Sequence, residues 1–182
     1  MNKVALTGGI AEGKSTVLAM LGDEGFSIGS ADKVAREVRE RPGIQAAIAE
    51  LTGLEEPIST AELREQLGRS DDIRRSINAL MHEPILDEIF SSDVAIWEVP
   101  LLIETALQNK FSRVIVVTCG QKIQRARLVE RLENESEVDR ILASQLPTSA
   151  KLPFADHVIR TDCEIGHVHK QVVELSHSLR GC

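Results

Sequence analysis

The chain opens with a short apolar run, Lys3 to Thr7, that ends in glycines, and apolar residues return after Lys14 at helical spacing through Val17 to Leu21. That pattern predicts a strand, a glycine loop and a helix. Phe26 to Ile28 predicts a second short strand. From Asp32 to about Phe90 apolar residues recur at intervals of three and four, in Val34 and Val38, in Ile44, Ala47, Ile48 and Leu51, and in Ile73, Ile77 and Leu80. An all-helical insert between strands is the expectation. Val94 to Val99, apolar apart from Glu98, and Val114 to Val117 suit parallel strands covered on two faces, and Ala155 to Ile159 predicts a fifth strand. Further helices are expected at Leu101 to Leu107, Lys122 to Leu132, Val138 to Leu146 and Ile165 to Leu179. Strands alternating with helices imply an α/β fold around a parallel, doubly covered sheet. His82-Glu83-Pro84 is expected to interrupt the helical pattern, because a proline disfavours helix at the residue before it.

At 182 residues the chain fits one domain with a substantial core. Its 42% hydrophobic and 27% charged residues are those of a globular protein. The net charge of -7, with no tyrosine, one tryptophan and four phenylalanines, supplies neither a footprint for phosphate backbones nor faces on which bases stack, so nucleic acid is not an expected partner. An anionic substrate must therefore be met by locally concentrated lysines and arginines. The N-terminus lacks the apolar core of a signal peptide and the character of a transit sequence, so a cytoplasmic protein is expected. No run approaches the roughly 20 apolar residues of a membrane span, and no membrane partner is expected. Cys119, Cys163 and Cys182 are far apart and odd in number, which argues for reduced thiols and against a disulfide framework or zinc site. The sequence is silent on oligomeric state, a monomer being the default.

Gly8-Gly9-Ile10-Ala11-Glu12-Gly13-Lys14-Ser15 matches G-x-x-x-x-G-K-[ST], the phosphate-binding P-loop. Glycines let the backbone curl so that successive N–H groups point inward, where side chains would obstruct a phosphate. Lys14 reaches the terminal phosphates, the Ser15 hydroxyl suits Mg²⁺, and the following helix aims its positive end at the anion. Four fixed positions arise by chance in such a chain with a frequency on the order of 1%, and placement between strand and helix lowers that further.

Other candidate residues carry two readings each. Asp32, just after the second strand, is either a carboxylate accepting the proton of a substrate hydroxyl as it attacks the ATP γ-phosphate, or a helix cap. Glu98, near the end of a strand, either holds magnesium through water or pairs with an arginine. Pro100 suits the first position of a helix, and Glu104 is a weaker candidate for substrate contact. Gln124, Arg127, Leu128 and Arg131 share one helix face, as arginines on a closing flap would, or as a solvated face laced with Glu130, Glu133 and Glu135. Arg127 to Arg140 is charge-rich, a candidate mobile flap. Lys33, Arg36, Arg64, Arg74 and Arg75 could meet further substrate phosphates or face solvent. His82 is either structural or in contact with substrate.

Together these residues resemble the dephospho-CoA kinases, of the nucleotide-kinase branch of P-loop proteins. The resemblance rests on Leu6-Thr7-Gly8-Gly9-Ile10 running into Gly13-Lys14-Ser15-Thr16, on Ala31-Asp32-Lys33-Val34-Ala35-Arg36, and on His82 followed by Ile85. It continues through Val99-Pro100-Leu101-Leu102-Ile103-Glu104, Gln124 with Arg127 and Arg131, Gln145, Lys151 and Ala155-Asp156-His157-Val158-Ile159, nearly the whole chain in the expected order. It implies a three-layer P-loop nucleoside-kinase-like fold with a five-stranded parallel sheet, a helical substrate-binding insert and a lid. The core would be 1–31, 93–121 and 147–182, the insert 32–92 and the lid 122–146. The implied reaction is transfer of the ATP γ-phosphate to the 3′-hydroxyl of the dephospho-CoA ribose, completing coenzyme A synthesis with Mg²⁺. Asp32, Lys14 and Arg131 would be catalytic, and Gly9, Ile10, Ala11, Glu12, Gly13, Lys14, Ser15, Thr16 and Arg127 would bind ATP. Arg36, His82, Pro100, Leu101 and Glu104 would bind the acceptor, with Ser15 and Glu98 at the metal. Three departures fall on the acceptor side. Ser30 stands where the family commonly has the first aspartate of Asp-Ala-Asp, Glu83 where proline usually follows the histidine, and Ser59-Thr60 in the neighbourhood of a usual Asp-Arg. They motivate two alternatives, a kinase for another small hydroxylated metabolite such as a nucleoside monophosphate, and a catalytically silent ATP-binding regulatory module.

Overall fold

The structure, a computed structural model, describes residues 3–181. In chain order the elements are β1 (Val4–Gly8), α1 (Lys14–Asp23), β2 (Ile28–Ser30), α2 (Ala31–Arg39), α3 (Pro42–Thr52), α4 (Thr60–Arg69), α5 (Asp71–Ser91) and β3 (Ile96–Glu98). There follow β4 (Arg113–Thr118), α6 (Gln121–Leu132), α7 (Glu135–Ala143), α8 (Thr148–Lys151), β5 (His157–Arg160) and α9 (Ile165–Arg180). The chain divides into two compact units, residues 1–30 with 93–182, and residues 31–92. No helix among the described residues is long and apolar enough to cross a membrane.

The first unit is built on a five-stranded sheet in the order β2-β3-β1-β4-β5, every pair parallel. Leu6, Ile96, Ile115 and Val117 point to one face, where they pack with Val17 and Leu21 of α1 and Val172 of α9. Their neighbours along the strands, Ala5, Trp97, Val114 and Val116, are also buried. Burial on both faces is why these strands are continuous apolar runs and not alternating ones. The chain leaves β1 toward the β2 edge and leaves β3 toward the opposite edge. The carboxyl ends of β1 and β3 therefore flank the topological switch point, where open parallel sheets bind ligands.

Three local expectations change. The second strand is Ile28–Ser30, later than Phe26 to Ile28, because pairing with Ile96 to Glu98 sets its register. Phe26 packs against the core and lies under the Arg180 guanidinium, 5.1 Å from the ring centre. Leu101 to Leu107 is a series of irregular turns and not a helix, with Pro100 in a turn ahead of it. The Pro100 carbonyl is taken by the Thr7 hydroxyl at 3.2 Å and the Lys151 ammonium at 3.1 Å, and Ala106 has φ 55°, so a regular i to i+4 ladder does not propagate.

The second unit is the four helices α2 to α5 around Ile48, Ile58, Leu63 and Ile77. The Gln45 side chain ties it together, donating to Arg39 O at 2.8 Å and accepting from Ile58 N at 2.9 Å. Here Pro84 does not stop the helix, and α5 runs through it from Asp71 to Ser91. An interior proline costs about 3 kcal/mol. Ile77 and Ile89, on either side of it, are 4% and 2% exposed, and their burial holds both halves in place.

Ser59 caps α4, its hydroxyl accepting from Glu62 N at 3.2 Å while Glu62 Oε2 accepts from Ser59 N at 3.0 Å. This is a reciprocal capping box. The Ser59 hydroxyl, then its backbone N–H, hold the Glu62 carboxyl below its ordinary value. A carboxyl depressed in the folded state stabilises above its unfolded pKa, and that contribution fades as pH falls through the folded value. Ser59→Ala should cost about 1 kcal/mol at neutral pH. In an NMR titration it should raise Glu62 back toward the ordinary carboxylate range, and an unchanged Glu62 titration would dissociate the shift from the cap.

Candidate active site

The loop of residues 8–13 links β1 to α1 at the switch point. Gly13 adopts the left-handed φ of 90° that admits glycine most readily and starts α1 directly at Lys14. Gly9 is required by close approach, since a Cβ there would lie 2.4 Å from Gln124 Nε2 and 2.8 Å from Glu12 Oε2. Lys14 Nζ donates to Gly9 O at 2.8 Å, so the ammonium folds back over the loop, and Ser15 and Thr16 are exposed at the start of α1. A curled backbone ahead of a helix N-terminus, with one ammonium over it, is an anion site.

Side chains from distant segments hold this loop on its outer side. Glu12 is 1% exposed, and its carboxylate accepts Gly9 N at 2.6 Å, Thr118 Oγ1 at 3.0 Å, Cys119 N at 3.4 Å and the Thr148 hydroxyl. Its own carbonyl accepts Thr161 Oγ1 at 2.7 Å. Gln145 Oε1 accepts Ile10 N at 3.3 Å, and Gln124 Nε2 donates to Ile10 O at 3.0 Å. Arg127 donates from Nη1 to Ala11 O at 3.4 Å and from Nη2 to Thr161 O at 2.7 Å. The one anionic side chain of a loop built for anions is thus turned away and fully hydrogen-bonded. Burial raises the Cys119 thiol above its ordinary pKa, with Arg127 opposing and Glu12 adding to the shift, which fits an unreactive packed thiol.

A second buried charge braces the β3 side. Lys151 is 0% exposed and pairs with Glu104 Oε1 at 2.7 Å, while Glu104 also accepts Leu146 N at 3.1 Å. Pro100 and Glu104 are therefore joined by one ammonium, and Leu101 beside them is exposed. Glu98 ends β3, level with Leu6 of β1 and Ser30 of β2. Arg131 is exposed one turn beyond Arg127, with no ion pair among the described residues. Arg125, off that face, bridges to Asp139 and Glu135 of α7.

In the helical unit Asp32 lies in the first turn of α2, two residues after the end of β2, exposed and not capping the helix through its side chain. Arg36 is exposed on the same helix, and His82 is exposed on α5. Asp32 and Arg36 line one groove with Arg39, Thr60 and Arg64. Thr118, Thr148 and Thr161, which complete the hold on the loop, are missed from sequence. The signal present is position, for Thr118 ends β4 and Thr161 follows β5, at the ligand-binding edge of the sheet.

A parallel sheet in this order, with the glycine loop and lysine at its switch point, defines a P-loop kinase. The structure of dephospho-CoA kinase from Campylobacter jejuni superposes with a TM-score of 0.74 over 98% of this chain and 96% of that one, at 22% identity, which speaks to the fold. The dephospho-CoA kinase family model matches residues 2–167. The dephospho-CoA kinase of Corynebacterium glutamicum is 35% identical over 193 aligned residues covering 96% of each chain, and that of Escherichia coli 38% over 170, covering 86% of this chain and 82% of its own. The chain belongs to the dephospho-CoA kinase family.

Replacing Glu12 by Ala strands two hydroxyls and two backbone N–H groups at a buried position, so about 3 kcal/mol of stability should be lost. The ATP KM should rise about tenfold or more as the loop loosens. Glu12→Gln should fall between, since an amide can accept from Gly9 N–H and donate to a threonine oxygen. Urea unfolding and ATP saturation curves measure both effects, and an Ala variant with unaltered ATP KM would show that the loop holds its shape without the carboxylate.

Proposed function

We propose that this chain transfers the γ-phosphate of ATP to the 3′-hydroxyl of the dephospho-CoA ribose, with Asp32 as general base. The loop of residues 9–16 receives the triphosphate, its N–H groups and Lys14 meeting the phosphate oxygens. Asp32 takes the proton from the 3′-hydroxyl as that oxygen bonds to the γ-phosphorus. The bond from the γ-phosphorus to the β–γ bridging oxygen breaks, and ADP leaves with that oxygen. Arg127 and Arg131 lie on one face of α6, and Arg131 is the one exposed to reach the developing charge. His82, Pro100, Leu101 and Glu104 belong to the acceptor side in this reading, Glu104 through its bond to Lys151.

The residues also fit magnesium. Ser15 and Glu98 offer hard oxygen donors, and no cluster of three or more metal-ligating side chains occurs among the described residues, which suits a cation held chiefly by phosphates and water. Bound there, Mg²⁺ would neutralise charge on the β- and γ-phosphates.

The observation that carries the proposal is the glycine loop held open ahead of α1 in a chain of this family. Protein, ATP, Mg²⁺ and dephospho-CoA should yield ADP and coenzyme A. Asp32→Asn should lower turnover by about 10²-fold to 10⁴-fold, the contribution of a general base, with ATP affinity retained. The Ser59-Thr60 departure supports one rival, a different acceptor. An acceptor panel read by ADP release, including nucleoside monophosphates, separates the two. Turnover confined to another acceptor would remove dephospho-CoA from the proposal, and a fully active Asp32→Asn would remove the base.

A further inference from the structure

Residues 145–151 run from the end of α7 through α8 and bond to two parts of the site in turn. Gln145 Oε1 accepts Ile10 N of the phosphate loop at 3.3 Å, and the Thr148 hydroxyl donates to Glu12 of the same loop. Leu146 N donates to Glu104 Oε1 at 3.1 Å, and Lys151 Nζ reaches the same oxygen at 2.7 Å and the Pro100 carbonyl at 3.1 Å. Two residues of the segment thus hold the loop that follows β1, and two hold the irregular turn that follows β3. Because Gln145 and Leu146 are adjacent, Ile10 and Glu104 are tied to neighbouring points of one backbone.

Lys151 is the charged end of this segment. At 0% exposure it can touch neither substrate. A buried ion pair is seldom more stabilising than apolar side chains of the same volume, since desolvation offsets the attraction. What the ammonium supplies beyond stability is direction, because it donates at once to a carboxylate and to a carbonyl of the same turn. The turn needs such a hold, since residues 101–107 lack a regular helical ladder. Its start is fixed to β1 directly, by Val99 N to Leu6 O at 2.9 Å and Thr7 Oγ1 to Pro100 O at 3.2 Å, whereas its middle, at Glu104, is bonded to Leu146 and Lys151.

Resting on the transfer proposed above, we propose that residues 145–151 are a bracket that sets the spacing between the phosphate loop and the 100–104 turn, with Lys151 as a positioning residue for phosphoryl transfer. In that reading the loop carries the γ-phosphate and the turn belongs to the acceptor side, so the bracket governs how far the attacking oxygen stands from phosphorus. Transfer is steep in that distance, a misplacement of about 1 Å costing about 10²-fold in rate. Binding of ATP is not, because the loop takes its shape from Glu12, whose donors Gly9, Thr118, Cys119 and Thr148 do not involve Lys151. The two buried charges therefore divide the work, Glu12 serving nucleotide affinity and Lys151 turnover.

Steady-state kinetics and urea unfolding of Lys151→Met, Gln145→Ala and Val172→Ala test this, the last removing methyl groups from the buried core under α9. Lys151→Met should lower kcat with dephospho-CoA about 10²-fold while the ATP KM stays within about twofold. Gln145→Ala, which cuts one of the two bonds from the bracket to the loop, should lower kcat about tenfold. Val172→Ala should lower the urea midpoint and leave kcat unaltered, which separates lost stability from lost geometry. Full turnover in folded Lys151→Met would overturn the assignment. So would a fall in kcat matched by Val172→Ala, or a rise in the ATP KM as large as the fall in kcat. Should Lys151→Met fail to fold, Gln145→Ala, at a partly exposed position, decides the matter, and an unaltered kcat there overturns the bracket. Failure of the unsubstituted protein to phosphorylate dephospho-CoA at all would instead overturn the acceptor.

Discussion

The buried carboxylate of Glu12 is the interaction on which the nucleotide side of this protein depends. An anion-binding loop works by presenting unpaired N–H groups, and unpaired N–H groups are what a folded chain tends to satisfy or close over. Glu12 resolves the conflict by geometry. Its carboxylate takes one N–H from the start of the loop, Gly9, together with two threonine hydroxyls and a backbone N–H from elsewhere. The loop is pinned from outside to β4 and α8, and its inner amides are left for a ligand. Because burial of an ionised group costs several kcal/mol unless its lone pairs are filled, the four donors are a condition of the arrangement and not an addition to it.

That condition reaches through the rest of the unit. Thr118 stands at the end of β4, Thr148 opens α8 and Thr161 follows β5, so the strand ends and the segment after α7 are positioned by the loop they support. Gln124 and Arg127, one helical turn apart on α6, bond successive loop carbonyls at Ile10 and Ala11. Displacing α6 would therefore disturb the phosphate loop directly. Lys151 performs a comparable task nearer β3, where its buried ammonium holds Pro100 and Glu104 together. Two buried charges, each with its partners supplied by distant parts of the sequence, fix the backbone at the ligand-binding edge of the sheet.

Much of this was legible before any coordinates. The glycine motif gave the strand, loop and helix because its residue types have few other uses, and the apolar runs located the central strands because burial on both faces leaves no polar alternation. What was not legible depends on contacts far apart in the chain. The irregular course of 101–107 follows from Lys151 and Thr7 together occupying the Pro100 carbonyl, and nothing local to Leu101 signals that. Pro84 persists inside α5 because Ile77 and Ile89 are buried on both sides of it, a tertiary effect that outweighs propensity. The threonines behind the loop carry no spacing, since they lie 106 to 149 residues from Glu12.

The helical unit shows the complementary use of charge. Its surface is predominantly acidic, and its arginines sort into those already neutralised and those that are not. Only the second kind can attract an anionic ligand with their full charge, because a guanidinium paired at 2.5 Å presents little net field beyond its partner. Arg64 stands one helical turn beyond Thr60 on the same face of α4. Unpaired charge is the better guide wherever a surface helix carries the function, because the ligand responds to the field and not to the position number.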